Sequence, residues 1–479
     1  MKRVDLVGGI PVPLTEAATL YGRTRGAWNK DDTVLFGTPS GLMRVTGSGG
    51  KPVQVTKLDT GAGESAHGGP AFLPDGRRFV FAAAFAMNQP RGIFLGSLDD
   101  PKVTLILPDV ASAAYANGRL LFMRGTTLVA QRFDADRGAL EGEPSTIADN
   151  VQIGGGRVGA FSVSEAGVLA YVQTGGRDLR SRLQIVDRTG AVTAQIGDAA
   201  DQISVRLSPD GTRASASILE GAQGTRDLWI YDLRRGVRVR LTSDPGEEIQ
   251  SVWSPDGSEI AYSAARTRSL DVFRRSSSGV GPASVVLEAG AFNKYVTDWS
   301  RDGRLLYFSG ISGSPTVQDI WMIPLQGAAS PLPLVQTKYA ETNGRFSPNG
   351  RWVAFASNDG GRPDIYVTPS TPGGPRLLVS TSGGNDPCWR RDGKELFYVS
   401  PDRKLMAVDV RLDGALPEFG TPHALFDLHA RGGDYIGFYA GPPFDAMPDG
   451  KHFLINALPE TPGPPPITIV VNWPSLLKR

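Results

Sequence analysis

Two polar side chains near residue 65 could contribute to a binding or catalytic site. Glu64 and His67 are three positions apart, in a stretch that precedes an aromatic strand pattern. An imidazole beside a carboxylate can exchange a proton or help to hold a metal ion. The alternative for His67 is a hydrogen bond that orders a loop. Both residues are predicted as ligand-binding candidates.

Polar side chains also recur at roughly regular intervals farther along the chain, each just ahead of an apolar strand pattern. This set consists of Gln250, Tyr295, Asn343, Asp386 and Tyr435. Acids, amides and tyrosines suit a polar small molecule, a peptide, a glycan or a protein as the partner. They do not form the nucleophile–base or acid–base pair of a catalytic centre. The prediction is a ligand-binding site without catalytic residues.

Three other patterns have ordinary structural explanations. The segment Gly154–Gly159 has the G-x-G-x-x-G spacing of a dinucleotide site, but a strand pattern follows it instead of the required helix. Each Asp–Gly pair supplies one carboxylate, whereas calcium needs roughly six or more oxygen ligands. The four histidines are scattered, and one cysteine, Cys388, excludes a multi-cysteine zinc site. We therefore predict no cofactor and no metal.

The elements that carry these residues belong to one repeated unit. In each copy an aromatic residue or Leu precedes a short polar segment that ends in Asp or Asn, and Gly and an apolar strand follow. The clear copies contain Gly76, Gly211, Gly257, Gly303, Gly350, Gly393 and Gly450, and degenerate copies contain Asp32, Gly118 and Gly167. Copies are spaced 42 to 57 residues apart, so ten of them fill the 479 residues. The polar segment is typical of a tight turn in which Gly takes a positive φ.

The flanks of each turn read as short strands. Glu259–Ser263 and Leu305–Ser309 are aromatic and β-branched runs, and a second pair of strands follows, as at Asp319–Ile323. Four strands per repeat, without a convincing helix, predict an all-β protein made of β-propeller blades. One ring usually holds about 4 to 8 blades. The chain is therefore predicted to form two consecutive rings, the second with about six blades, or one large ring.

Regularity of the repeat suggests where the rings divide. The most regular copies begin at Gly211, so the predicted domains are residues 1–200 and 201–479. Strand patterns at residues 3–14 are predicted to complete the last blade, together with Phe444, His452–Asn456 and Ile467–Val471. Such a closure would remove exposed sheet edges.

One position of the repeat carries charge in several copies. Arg206, Asp298 and Arg345 each lie directly before the aromatic residue or Leu. We expect them to form ion pairs between blades, and the alternative is that they line the central channel.

Composition excludes several classes of function. The chain has 50 basic and 49 acidic residues, and this balance argues against a nucleic-acid partner. No stretch approaches the roughly 18 apolar residues of a membrane span. The N-terminal residues contain no long apolar run, so no secretory signal is predicted. We therefore expect no membrane insertion of this chain.

The repeat resembles the blades of TolB-like propellers and of the propellers of prolyl-oligopeptidase relatives. A broader resemblance, over nearly the whole chain, is to the C-terminal propeller (sensor) region of bacterial, especially acidobacterial, transmembrane serine/threonine protein kinases. The segments that carry it are Phe72–Phe79, Ile93–Asp99, Ala160–Glu165, Trp389–Tyr398 and Ile467–Trp473. The chain departs from these proteins because it contains no kinase motif, no membrane span and no G-x-S-x-G elbow.

The resemblance implies a sensor or interaction region without a catalytic module. We therefore expect a non-enzymatic ligand- or protein-binding propeller, periplasmic or extracytoplasmic if it is a fragment of such a kinase and cytoplasmic if it is complete as given. The alternative is a propeller hydrolase or lyase acting on a polysaccharide or lactone, with His67 and channel acids at the reaction centre.

Overall fold

The computed structural model describes residues 2–3, 12–15, 26–38, 40–62, 64–85, 90–110, 112–153, 158–173, 180–220, 225–266, 269–288, 293–310, 318–325, 330–432, 441–459 and 467–478. The chain divides into two compact units. Unit 1 comprises Met1–Arg177 and Pro462–Arg479, and unit 2 comprises Asp178–Thr461. Helix occurs in the described residues only as two 3-10 segments, Thr60–Ala62 and Trp473–Lys478. None of the described helices has the length and hydropathy to cross a membrane.

Unit 1 contains a two-stranded sheet and three complete blades. The sheet pairs β1 (Lys2–Arg3) with β2 (Val12–Pro13). Blade 1 contains β3 (Ala27–Trp28), β4 (Thr33–Thr38), β5 (Gly41–Thr46) and β6 (Val53–Gln54). Blade 2 contains β7 (Glu64–Phe72), β8 (Arg78–Phe85), β9 (Pro90–Ser97) and β10 (Thr104–Pro108). Blade 3 contains β11 (Ala113–Ala116), β12 (Arg119–Arg124), β13 (Thr127–Asp134) and β14 (Ala139–Ala148). Blade 4 begins with β15 (Phe161–Val163) and β16 (Val168–Val172).

Unit 2 opens with β17 (Ser181–Asp187) and the long β18 (Val192–Leu207). Blade 5 adds β19 (Arg213–Leu219), β20 (Arg226–Asp232) and β21 (Val237–Arg240) to the second half of β18. Blade 6 contains β22 (Glu248–Trp253), β23 (Glu259–Ala265), β24 (Leu270–Ser276) and β25 (Ser284–Leu287). Blade 7 contains β26 (Asn293–Trp299), β27 (Arg304–Gly310), β28 (Gln318–Pro324) and β29 (Leu332–Val335). Blade 8 contains β30 (Glu341–Phe346), β31 (Trp352–Ser357), β32 (Asp364–Pro369) and β33 (Leu377–Leu378).

The last two blades of unit 2 are less regular. Blade 9 contains β34 (Asn385–Trp389), β35 (Glu395–Val399) and β36 (Lys404–Arg411), and β36 pairs with both β37 (Glu418–Phe419) and β38 (His423–Asp427). Blade 10 begins with β39 (Phe444–Ala446) and β40 (His452–Ala457). Strand β17 then pairs antiparallel with β40, and the first half of β18 pairs with β17. Blade 10 is therefore built from both ends of unit 2.

The six blades of unit 2 close into a ring. Their innermost strands are neighbours in the order β18, β22, β26, β30, β34 and β39, and β39 returns to β18. Apolar side chains fill the space between adjacent blades, as where Val252 and Val272 pack with Val296 and Leu305. Sequential four-stranded blades around a ring define a β-propeller. The predicted all-β propeller fold is confirmed.

The chain ends lie elsewhere than the sequence suggests. The final strand, β41 (Ile467–Val471), pairs with β16 and supplies the third strand of blade 4 in unit 1. Strands β1 and β2 pair with each other, and β17 takes the place predicted for residues 3–14 in closing blade 10. The units divide at residues 177/178 and 461/462, whereas the predicted boundary after residue 200 falls inside β18.

The turn of the repeat has the local structure that its residues predict. In blade 5 the Ser208 hydroxyl donates to Asp210 at 2.6 Å and accepts from the Arg213 amide at 3.0 Å. Gly211 adopts a φ of 71°, a region that side chains with a Cβ rarely enter. The turn holds the innermost strand and the next strand in register, and it places the end of the innermost strand at one face of the ring.

Candidate functional site

The predicted candidates Glu64 and His67 lie within β7. The His67 ring is almost fully buried, with Nδ1 2.8 Å from Oγ1 of Thr56, a residue that follows the last strand of blade 1. Its Nε2 lies 3.1 Å from Oε2 of Glu64, whose other oxygen pairs with Arg91. Burial alone would raise the pKa of Glu64, but hydrogen bonds from His67 and the Asp59 amide lower it to about 2. This network ties blade 1 to blade 2.

Three candidates of unit 2 occupy equivalent positions. Gln250, Asn343 and Asp386 each lie three residues before the aromatic residue of the repeat, at a bulge where φ is 51° to 57°. The side-chain amide of Asn343 donates to Oδ1 of Asp386 at 3.0 Å and so connects blade 8 to blade 9. Gln250 and Asp386 are buried, and Asn343 is partly exposed.

The remaining candidates are dispersed. Tyr295 is buried and stacks on Phe308, with 4.8 Å between ring centroids. Tyr435 lies outside the described residues, as do Gly154–Gly156 of the glycine-rich motif. The structure therefore brings Asn343 and Asp386 together and places Glu64 and His67 in the other unit. The ligand-binding role of all seven candidates stays a prediction.

Histidines and carboxylates do not gather into a metal site in the described part of the chain. No group of three or more His, Cys, Asp and Glu side chains there is placed to hold a metal ion. His452 lies at the surface, with Nδ1 2.6 Å from Asp449 of the neighbouring turn. His423 begins β38 and is exposed.

A cavity of about 240 Å³ opens where the innermost strands of unit 2 end. At this face each strand runs into its turn, so equivalent residues of several blades surround the opening. The walls carry aromatic side chains (Trp253, Trp299, Phe346, Trp389), prolines (Pro209, Pro255, Pro348, Pro448), arginines (Arg206, Arg301, Arg345, Arg391) and carboxylates (Asp298, Asp445). We call this space the mouth cavity.

Arg345 joins the two carboxylates of the mouth cavity. Its Nη2 lies 3.2 Å from Oδ1 of Asp445, and its Nε lies 4.0 Å from Oδ2 of Asp298. Asp298 also accepts a hydrogen bond from the Phe346 amide at 2.8 Å, and Asp445 accepts one from the Leu207 amide at 3.0 Å. Each carboxylate thus holds the innermost strand of another blade. Arg345 and Asp298 therefore form an ion pair between blades, and both also line the mouth cavity.

Burial changes the protonation of this network. Burial in the mouth cavity raises the pKa of Asp298 to about 7. Hydrogen bonds from backbone amides oppose this rise, and the negative charge of Asp445 adds to it. Burial and the same Asp445 charge also raise the pKa of the Cys388 thiol, whose Sγ lies 3.2 Å from Oδ1 of Asp445. The thiol therefore stays protonated and donates to the carboxylate, which makes it a poor nucleophile.

The aromatic wall is held in place by neighbouring blades. Nε1 of Trp253 donates to the Arg206 carbonyl at 3.2 Å, and Nε1 of Trp389 donates to the Arg345 carbonyl at 3.0 Å. The Arg213 guanidinium lies 4.6 Å from the Trp253 ring centroid. A cation over an aromatic face adds a favourable contact. These contacts fix the orientation of the Trp253 and Trp389 rings.

The sequence indicates part of this site. Arg206, Asp298 and Arg345 stand out because each lies directly before the aromatic residue or Leu of the repeat. Asp445 was missed because it lies two residues before Met447, in a degenerate copy that hides its equivalence. The tryptophans recur at the ends of the innermost strands, and this recurrence is the sequence signal that they share one face of the ring.

Comparison with known proteins does not assign the chain to a family. No family model matches it. It is 29% identical over 163 residues to the uncharacterized protein Atu1656 of Agrobacterium fabrum, across 31% of this chain and 53% of that protein. It is 25% identical over 205 residues to the uncharacterized peptidase YuxL of Bacillus subtilis, across 34% of this chain and 31% of that protein. The chain thus spans about half or less of the length of these relatives.

Among solved structures, the chain is similar to a putative TolB from Agrobacterium tumefaciens. The sequence identity is 20% and the TM-score is 0.41, with 58% of this chain and 97% of that chain covered.

Proposed function

We propose that unit 2 is a non-enzymatic binding module whose mouth cavity holds an extended polypeptide segment of a partner protein. The observation that carries the proposal is the composition of the cavity wall. Indole, phenyl and proline rings provide apolar surface for side chains, and arginines at the same opening provide hydrogen-bond donors. A cavity of about 240 Å³ accommodates a few side chains of an extended segment, not a folded domain.

The polar groups of the wall support binding better than bond cleavage. Both carboxylates accept hydrogen bonds from backbone amides, and Asp445 is further occupied by Arg345 and the Cys388 thiol. A general base must instead face the proton that it removes. Groups held in this way orient a ligand and keep the ring closed.

The biological setting that we propose is a sensor or interaction region. The resemblance of the repeats to propellers of bacterial receptor kinases supports this setting. The partner would then be a protein met by the extracytoplasmic part of such a receptor. A binding module with one defined opening is consistent with that role.

Selection of peptides on the purified full chain tests the proposed function. A phage-displayed library of random twelve-residue peptides is selected on the immobilised protein, and the recovered peptides are measured by fluorescence anisotropy. Trp299 lines the cavity and is partly exposed. Removing a large aromatic anchor typically costs an interface about tenfold or more in affinity. We therefore expect Trp299→Ala to weaken the recovered peptides by at least about tenfold.

The matched control is Trp229→Ala. Trp229 is in β20 of the same unit, outside the cavity, with the Arg238 guanidinium 5.3 Å from its ring centroid. This variant is expected to bind the recovered peptides as the wild type does. Recovery of no peptide, or equal binding losses in the two variants, would contradict the proposed function.

A further inference from the structure

One buried charged side chain of the mouth cavity lacks a counter-ion among the residues that the structure describes. Arg206 is only 8% exposed, and its Nη2 donates to the Thr297 carbonyl at 2.6 Å. Its Nη1 has no hydrogen-bond partner among the residues that the structure describes. Within that part of the chain, no carboxylate forms an ion pair with its guanidinium. Arg206 nevertheless lines the cavity.

The acids of the cavity do not compensate this charge. Asp445 accepts from Arg345, the Cys388 thiol and the Leu207 amide, and Asp298 accepts from the Phe346 amide. Among the described residues, Arg345 is therefore paired with a carboxylate and Arg206 is not. Arginine does not lose its proton in proteins, so a buried guanidinium without a counter-ion keeps its charge at a cost in free energy. An anion that enters the cavity removes that cost.

We propose that Arg206 receives a carboxylate of the polypeptide segment that occupies the mouth cavity, an inference that rests on the proposed function. The guanidinium charge is delocalised over three nitrogens, so an anion is attracted without replacing the bond to Thr297. Planar guanidinium and carboxylate groups match in geometry.

The surroundings of Arg206 favour a carboxylate over a phosphate. A phosphate ester carries nearly two negative charges near neutral pH. It would lie in the same small cavity as Asp298 and Asp445 and face one buried guanidinium without a counter-ion, because Arg301 and Arg391 of the wall are exposed to solvent. A carboxylate carries one charge, which balances Arg206 alone. The carboxylate can come from an acidic side chain or from the C-terminus of the segment, and the two sources are separable by experiment.

Four synthetic libraries of random dodecapeptides separate these sources. Two contain Asp and Glu and two exclude them, and each composition is made with a free and with an amidated C-terminus. Retention of each library on immobilised full chain is quantified by mass spectrometry. A charge-assisted hydrogen bond typically contributes about tenfold to a hundredfold in affinity. The amidated library without Asp and Glu is therefore expected to be retained at least about tenfold less than the library that has both Asp and Glu and a free C-terminus.

Two libraries carry only one kind of carboxylate: the library without Asp and Glu that has a free C-terminus, and the amidated library that contains Asp and Glu. Comparing their retention identifies the source of the carboxylate. Preference for free termini assigns a terminal carboxylate, and preference for Asp and Glu assigns a side chain. Arg206→Met is expected to abolish the preference while peptides are still retained through the aromatic wall. The control Arg411→Met removes the same charge from an exposed position of β36, where Arg411 pairs with Glu418. It is expected to keep the preference.

Stability provides a second readout for Arg206→Met. Since the substitution removes a buried unpaired charge and keeps most of the side-chain volume, we expect an unchanged or higher melting temperature. If the variant does not fold, Arg206→Lys keeps the charge without the planar fork and is expected to retain only part of the preference. Equal retention of all four libraries, or an unchanged preference in Arg206→Met, would overturn the inference. Equal retention that still depends on Trp299 overturns it alone, whereas no retention of any library overturns the proposed function as well.

Discussion

At the scale of single residues, the Asp298 carboxyl is subject to opposing influences. Removal from water raises its pKa, and backbone amides that donate to the carboxylate lower it, with a net pKa of about 7 against an ordinary value of 3.8. Between pH 3.8 and about 7, the folded protein therefore holds a proton on Asp298 that the unfolded chain has released. The contribution of this proton to the free energy of unfolding is fully present below pH 3.8 and is lost as the pH rises through about 7.

We predict that Asp298→Asn reduces the pH dependence of the free energy of unfolding. Asparagine keeps an oxygen for the Phe346 amide but does not titrate. Between about pH 4.5 and 7, the decrease in stability with rising pH should become shallower by up to about 1.4 kcal/mol per pH unit. Urea unfolding followed by circular dichroism across this range measures the difference.

The control for this prediction is Asp302→Asn in the same blade. Hydrogen bonds from Ser300 and Arg304 outweigh burial and lower the pKa of Asp302, so it titrates below the tested range. This variant should leave the slope unchanged. An Asp298→Asn slope equal to that of the wild type would show that Asp298 is already ionised throughout.

The Thr56–His67–Glu64 network gives a second residue-scale prediction. His67→Ala removes one hydrogen bond from each of two buried polar side chains, Thr56 and Glu64, and removes a ring that packs 4.8 Å from Phe81. We expect a loss of about 2 to 4 kcal/mol in the stability of unit 1, measured by hydrogen exchange of β7 and β8 amides. His452→Ala removes a surface contact with Asp449 and should cost less than about 1 kcal/mol. Unchanged exchange in His67→Ala, together with lost peptide binding, would instead assign His67 to the binding site.

At the scale of elements, the turns were predictable because their residues act locally. The turn contains Pro, Asp or Asn, and Gly, and each of these residues sets the backbone conformation only of its immediate neighbours. The sequence alone therefore indicates the hairpin and both flanking strands. The cavity wall was only partly predictable. Arg345 meets Asp445 across 100 positions of the chain, and the spacing of Asp445 within its own repeat does not indicate that contact.

The turn glycines provide a prediction at this scale. Gly257 has a φ of 72°, and an added Cβ would meet its nearest atoms at 3.5 Å or more, so the cost of a side chain is conformational. We expect Gly257→Ala to lower the stability of unit 2 by about 1 to 2 kcal/mol. Gly360→Ala is the control, because Gly360 lacks a positive φ and its nearest atom lies at 3.4 Å. Urea unfolding followed by tryptophan fluorescence compares them, and equal stabilities would contradict the strain argument.

At the scale of the whole molecule, the course of the chain determines how the two units are completed. Strand β18 is 16 residues long because it serves blade 10 with its first half and blade 5 with its second. The predicted boundary after residue 200 falls inside this strand, because composition does not indicate that its two halves pair in different blades. The choice between β17 and residues 3–14 as the partner of β40 depends on long-range pairing, since both segments have strand-like composition.

The C-terminus gives the prediction that tests this division. Trp473 follows β41 and is fully buried among unit 1 residues that include Leu121 and Leu169. Replacing a buried tryptophan with alanine typically costs about 3 to 5 kcal/mol. Trp473→Ala should therefore speed amide exchange in β12 and β16 while β31 and β35 exchange at the wild-type rate.

Trp352→Ala is the reciprocal control, because Trp352 is 3% exposed and packs with Ile365 and Leu396 of unit 2. It should speed exchange in β31 and β35 and leave β12 and β16 unchanged. Mass spectrometry of deuterated peptides measures both variants in the full chain. If Trp473→Ala instead speeds exchange in β35 and leaves β12 protected, the last strand does not complete unit 1. Faster exchange of β12 and β16 in Trp473→Ala alone, and of β31 and β35 in Trp352→Ala alone, would establish that the final residues stabilise unit 1.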